Sequence, residues 1–137
     1  MKTIGDAVMA VFSRPDGAVQ AALEMQEGIS AFNRLQHIDP PLVIKIGVHH
    51  GPAIAINANN QLDYFGRTVN IAARIQRESI GGDVILTEDI VHQPAVQEAL
   101  QRCPAALAFE APLKGIEGVF RLYRLTLQAP EPQPVGE

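Results

Sequence analysis

Three features of this 137-residue sequence predict an α+β domain. Ala18, Ala22, Met25, Ile29 and Phe32 recur at steps of four, three, four and three residues, the spacing of one helix face. Leu42, Ile44, Ile46 and Val48 alternate with Val43, Lys45, Gly47 and His49, the period of a half-buried strand. Glycines between apolar runs, at Gly5-Asp6 and around Gly115 and Gly118, mark tight turns between paired strands.

The elements follow in order. Lys2-Thr3-Ile4, Gly5-Asp6 and Ala7 to Phe12 read as strand, two-residue turn and strand, and Gly at the first turn position suits type II′. That turn would hold the Asp6 carboxylate at a hairpin tip. Ser13 is placed to cap a first helix, with Pro15 in its first turn and Asp16 three residues after Ser13, as in a capping box. Met25 and Phe32 on its apolar face are expected in the core. Asp39-Pro40-Pro41 ends this segment, and the strand from Leu42 to Val48 follows. The stretch HHGPAIAINANNQLDYFG reads as turn, strand, polar loop and short extended return. RTVNIAARIQRESI is a second helix, with Val69, Ala72, Ala73 and Ile80 expected toward the core. Gly81-Gly82 stops it, and Asp83 to Leu86 is a short buried strand. Residues 87–102 read as small helical pieces broken at Pro94, and LAFEAPLKGIEGVFRLYRL as a strand pair. Residues 1–127 are expected to form one domain, and the Pro-rich residues 128–137 a disordered tail.

Composition excludes several function classes. The chain is 47% hydrophobic and 19% charged, within the range of a globular protein and unlike a disordered one. A net charge of −4 gives no overall attraction to nucleic acid or an anionic membrane, and the basic residues lack an aromatic platform. The single cysteine, Cys103, forms no intrachain disulfide. With no signal peptide and no apolar run of bilayer length, the chain reads as cytoplasmic, or as a cytoplasmic piece of something larger. Neither GxGxxG nor a P-loop is present. His49 and His50 are adjacent on a strand and are expected on opposite faces, which argues against a shared metal; His37 and His92 read as surface residues.

Two local geometries invite chemistry. Asn70 and Arg74 stand at i and i+4 on the second helix, with Arg77 close to their face, and the helix follows Asp63-Tyr64-Phe65-Gly66. Asp6 at its hairpin tip is available to a hard cation such as Mg²⁺. A polar helix face is ordinarily just solvated, and a lone Gly-Asp turn is commonplace.

The stretches KTIGDAVMAVF, IKIGVHHGPAIA, DYFGRTVNIAARI and LKGIEGVFRLYRL resemble, in order and spacing, motifs of class III adenylate and guanylate cyclase catalytic domains. The resemblance spans about residues 2–125. It implies a ferredoxin-like-related fold, a mostly antiparallel sheet with helices packed on it, and conversion of ATP (or GTP) to the cyclic nucleotide and pyrophosphate. It further implies Mg²⁺ or Mn²⁺ as cofactor and a homodimer with shared interfacial sites. By the same resemblance, Asp6 is a metal-binding aspartate; Lys2 and Asp63 read the purine; Asn70 and Arg74 orient ribose and stabilise the transition state; and Lys114 contacts the terminal phosphates. An ammonium donor at Lys2 and a carboxylate acceptor at Asp63 match the edge of adenine.

In that family the Gly-Asp hairpin lies in mid-domain, after a first strand and two helices, so this chain is expected to lack that first third. A metal-binding aspartate belongs to the missing strand, and the chain alone is therefore expected to be inactive or weak. The missing strand is expected to be an interior one, leaving a neighbour with unpaired backbone and an apolar helix face exposed. The alternative is a non-catalytic cyclase-like module that binds nucleotide or acts in regulatory dimerisation.

Overall fold

The structure is a computed structural model. It describes residues 2–4, 6–52, 54–58, 61–101, 103 and 105–127; for residues 2–4, 54, 56–58 and 61–65 the backbone alone is described. The expected tail, 128–137, and Gly5 of the expected II′ turn lie outside the described residues.

The first two strands, β1 (Lys2–Ile4) and β2 (Ala7–Met9), form the antiparallel hairpin read from the sequence, with Ile4 opposite Ala7, but β2 stops at Met9, short of the expected Phe12, and Val11 and Phe12 are exposed. Helix α1 (Pro15–Leu35) begins with Pro15 at its first position. Its N-cap residue is Arg14, which makes no side-chain capping bond, so the expected Ser13 capping box does not form. Asp16 instead accepts from Arg14 Nε at 3.0 Å. The helix buries Val19, Ala22, Leu23 and Gln26, a stripe rotated by about one residue from the expected one, and Met25 and Phe32 are exposed. Gln26 gives the reason. Its Nε2 donates to the Ile44 carbonyl at 3.0 Å and the Asp83 carbonyl at 2.8 Å, which holds position 26 inward and leaves neighbouring Met25 outward.

Strand β3 (Ile46–Val48) is shorter than its alternating run. The Asn33 amide accounts for the loss, because its Oδ1 accepts from Leu42 N–H at 2.9 Å and its Nδ2 donates to Leu42 C=O at 2.8 Å. A side chain thus satisfies backbone groups that a strand neighbour would have used, and Leu42 and Val43 stay exposed.

Strands β4 (Ile54–Ala58) and β5 (Gln61–Phe65) pair antiparallel as a second hairpin, as expected. Helix α2 (Arg67–Gln76) buries Ile71 and Ile75, not the expected set. The chain leaves the helix at Gln76, which strands Ile80 beyond it at 74% exposure. Strand β6 (Asp83–Thr87) is buried throughout. Helices α3 (Glu88–Val91) and α4 (Pro94–Leu100) are the two short pieces expected, and β7 (Ala105–Pro112) and β8 (Val119–Thr126) the expected strand pair.

The central sheet has the order β3-β6-β8-β7, with β3 parallel to β6 and the other neighbours antiparallel. Period-two alternation divides its side chains between two layers. Val84, Leu86 and Leu125 join Val19, Ala22, Leu23, Ile90 and Val96 under α1, α3 and α4. Ile85 and Leu122 join Ile71, Ile75, Ala111 and Leu113 under α2. No helix among the described residues is long and apolar enough to cross a membrane.

Candidate functional site

Helix α2 carries two of the expected site residues and is held from three directions. At its start, Gly66 has φ 129° and ψ −178°, a conformation open essentially to glycine alone, so β5 turns directly into the helix. Thr68 Oγ1 donates to the Pro52 carbonyl, tying the first turn to the segment after β3. Along its length, Ile71 and Ile75 enter the core. Near its end, the helix backbone lies directly on Gly47, where a Cβ would come within 2.5 Å of Gln76 N. Glycine at this point of an alternating strand is the sequence signal for that close approach.

The opposite helix face is polar. Asn70 is exposed and Arg74 half-buried. Arg74 reaches the β7–β8 turn, where its Nη2 lies 4.0 Å from the place a Cβ on Gly115 would occupy. Gly115 has φ 79°, and the turn is anchored by buried Leu113, whose carbonyl accepts from Ile116 N–H at 3.0 Å. Lys114, next in the chain to Gly115, is exposed. The fold thus brings Arg74 and the Lys114 turn together from positions about 40 residues apart. Among the described residues neither cation has an ion-pair partner. Two cations without an ion-pair partner among the described residues, beside one glycine turn, suit a multiply charged anion.

The remaining expected residues lie on the two hairpins. Asp6 is exposed at the β1–β2 tip. Lys2 stands in β1 opposite Met9, and Asp63 in β5 opposite Ile56; for both, the backbone alone is described. No bond among the described residues ties Asp6 to Asn70, Arg74 or Lys114 within one chain. Nor is any group of three or more His, Cys, Asp and Glu side chains placed there to hold a metal ion. The Asp6 carboxylate is the oxygen donor a hard cation takes, and Mg²⁺ is commonly held by one or two carboxylates together with substrate phosphates. Asp6 supplies one such carboxylate, which fits a cation whose remaining ligands come from elsewhere.

The two adjacent histidines lie just beyond the end of β3, not on strand positions as expected, and take different nearest partners. His49 Nδ1 is 3.3 Å from Thr87 Oγ1, while His50 Nδ1 lies 3.9 Å from the Asp89 carboxylate. Burial pushes the His49 pKa below its ordinary value; the Asp89 carboxylate opposes this and His50 adds to it.

Sequence reasoning missed a polar network just beyond α2. Arg124 on β8 donates from Nε to Asp83 Oδ2 at 2.9 Å and from Nη2 to the Glu78 carbonyl at 2.7 Å. Asp83 also accepts from Ser79 Oγ and from Ile80 N–H at 3.2 Å. A charge pair 41 residues apart leaves no local signal in a sequence.

The sequence model describing the adenylate and guanylate cyclase catalytic domain matches residues 1–110. An uncharacterised protein of Mycobacterium tuberculosis is 31% identical over 118 residues, 85% of this chain and 29% of that protein. A pH-sensitive adenylate cyclase of Mycobacterium tuberculosis is 30% identical over 131 residues, 91% of this chain and 29% of that protein. Among solved structures, a Trypanosoma brucei adenylate cyclase in its monomeric state superposes with a TM-score of 0.73 at 23% identity. That match covers 92% of this chain and 68% of the other. The chain therefore spans under a third of the length of either mycobacterial relative.

Proposed function

The chain belongs to the adenylate and guanylate cyclase catalytic-domain family, and from that premise we propose that it is the substrate-handling part of an adenylate cyclase. The reaction is closure of ATP to 3′,5′-cyclic AMP: the ribose 3′-oxygen attacks the α-phosphorus, the bond to the bridging oxygen breaks, and pyrophosphate leaves. The observation that carries this reading is the meeting of Arg74 with the Lys114 turn.

Negative charge grows on the α-phosphate oxygens and then on the departing pyrophosphate. Arg74 is the group placed to stabilise the first, and Lys114 to hold the second. Asn70, one turn before Arg74 on the same exposed face, orients the ribose so that its 3′-oxygen lies in line. Lys2 donates to the ring acceptor of adenine and Asp63 accepts from its amino group, a pairing that favours ATP over GTP. A divalent cation, Mg²⁺ or Mn²⁺, would be held by Asp6 and the nucleotide phosphates, and supplies Lewis-acid polarisation of phosphate oxygens.

Asp6 and Arg74 are joined by nothing within one chain among the described residues, which supports a homodimer whose sites take the hairpin of one subunit and α2 of the other.

The test is complementation in the full-length protein. Asp6→Ala and Arg74→Ala should each abolish cyclic AMP formation. Mixed and allowed to exchange subunits, the two inactive proteins should recover about a quarter of wild-type activity, since half the dimers are mixed and each keeps one intact site of two. Mixed dimers that form, shown by a tag pull-down, yet stay inactive would refute the shared site. Nucleotide binding without any cyclic product from the wild type would favour the non-catalytic module.

A further inference from the structure

Helix α2 is apolar in its seating and polar in its task. Its buried contacts are Ile71 and Ile75, one turn apart, and contacts of this kind are non-directional: they hold a helix against a sheet without fixing its rotation or its position along its axis. Thr68 Oγ1 on the Pro52 carbonyl fixes the first turn, and the end of the helix that carries Arg74 needs a directional contact of its own to meet the Lys114 turn reproducibly.

The network beyond the helix supplies a directional hold at its C-terminal end. Arg124 is held from three sides. Its Nε bonds Asp83, its Nη2 bonds the Glu78 carbonyl, and its guanidinium lies 4.7 Å from the centre of the Phe109 ring on the neighbouring strand. Asp83, with a side chain only 5% exposed, accepts in addition from Ser79 Oγ and the Ile80 N–H, and Ser79 Oγ in turn accepts from Gly81 N–H at 3.1 Å. Residues 78–81, the first to follow the helical turns, are thereby bonded to the rigid centre of the sheet through β6 and β8. The Glu78 carbonyl lies four residues beyond Arg74, about one helical turn or 6 Å along the axis. A slide or rotation of the C-terminal end of α2 strains these bonds as it moves Arg74.

Resting on the adenylate cyclase reading, we propose that Arg124, acting through Asp83, Ser79 and the Glu78 carbonyl, is the positioning residue that sets where α2 presents Arg74 to the nucleotide. It touches no substrate. Its effect falls on a transition-state contact, so its loss lowers kcat and leaves KM, which reflects binding of the base and phosphates, nearly unchanged.

The experiment uses the full-length protein with Arg124→Met, Arg124→Lys and Ser79→Ala. Arg124→Met removes the charge and both bonds; Arg124→Lys keeps a cation for Asp83 but cannot span to Glu78 O; and Ser79→Ala removes the two bonds of Ser79 Oγ should the first variant fold poorly. Val96→Ala, in the core on the other side of the sheet, is the control for simple loss of stability. Amide hydrogen exchange over residues 67–76 reports the seating of α2 without reference to activity, and steady-state kinetics with ATP report the consequence.

The expected result is exchange in α2 accelerated at least tenfold in Arg124→Met, with β6 and β8 unchanged. A kcat about ten- to a hundredfold lower should accompany it, with KM within about twofold, the scale set by a misplacement of about 1 Å at a reacting centre. Arg124→Lys and Ser79→Ala should fall between, and Val96→Ala should lower Tm while keeping kcat. In an active enzyme, an unaltered α2 in Arg124→Met, or a loosened α2 with kcat unchanged, overturns the proposal and leaves the cyclase reading standing. A wild-type protein that makes no cyclic nucleotide overturns the cyclase reading, and the proposal with it, whatever the exchange shows.

Discussion

Replacing Gly47 with alanine puts a methyl group where the α2 backbone already lies. The new Cβ would stand 2.5 Å from Gln76 N, 2.7 Å from Gln76 Cα and 3.0 Å from the Ile75 carbonyl carbon. Carbon and nitrogen atoms in ordinary contact keep about 3.5 Å, so close to 1 Å must be absorbed. All three neighbours are backbone, so no flexible side chain can swing aside. The strand cannot retreat either, because Ile46 and Val48, on either side of Gly47, pack against the opposite layer. Helix α2 must therefore lift, which thins its contacts at Ile71 and Ile75. Overpacking of this kind costs about 1–3 kcal/mol. For a chain of this length that corresponds to a fall in Tm of roughly 3–12 °C, read from a thermal melt and checked by urea unfolding at constant m. A Gly47→Ala protein that melts within about 1 °C of wild type would refute the close seating of α2 on β3.

The same substitution at Gly28 should have the opposite sign, because nothing lies within 4 Å of a Cβ there and the residue sits inside α1. Gly28→Ala is expected to stabilise by about 0.5–1 kcal/mol in urea unfolding, and destabilisation would mean that this helix face is covered. His49 titrates with the sign of a buried imidazole. Its folded pKa lies below the ordinary 6.5, so the unfolded chain takes up the proton first. Stability should be full above about pH 6.5 and fall as pH drops through the lowered folded value, and His49→Gln should flatten that part of the Tm profile. An unchanged profile in the variant would show that His49 is not held neutral by the fold.

Local chemistry is legible in this sequence wherever one segment decides its own structure. The pairing of β1 with β2, the β4–β5 hairpin, the strand pair around Gly115 and Gly118, the break at Pro94 and the buried β6 run form as read, because turn residues and apolar alternation act over a few positions. The candidate residues Asn70 and Arg74 share a helix face for the same reason. Tertiary structure decided which apolar positions are buried and which charges meet. Helix α1 carries apolar residues on two adjoining arcs, and the choice between them fell to Gln26, whose amide finds the carbonyls of Ile44 and Asp83 from distant segments. Strand β3 lost its first half to the Asn33 amide, and α2 stopped at Gln76 because residues 78–81 bond to Asp83 and Arg124. The approach of Arg74 to the Lys114 turn likewise depends on how a helix and a strand pair dock on one sheet. Hydrogen bonds and close packing between segments far apart in the chain depend on three-dimensional positions that no local pattern encodes, whereas turns and periodic faces are set by the covalent geometry of neighbouring residues.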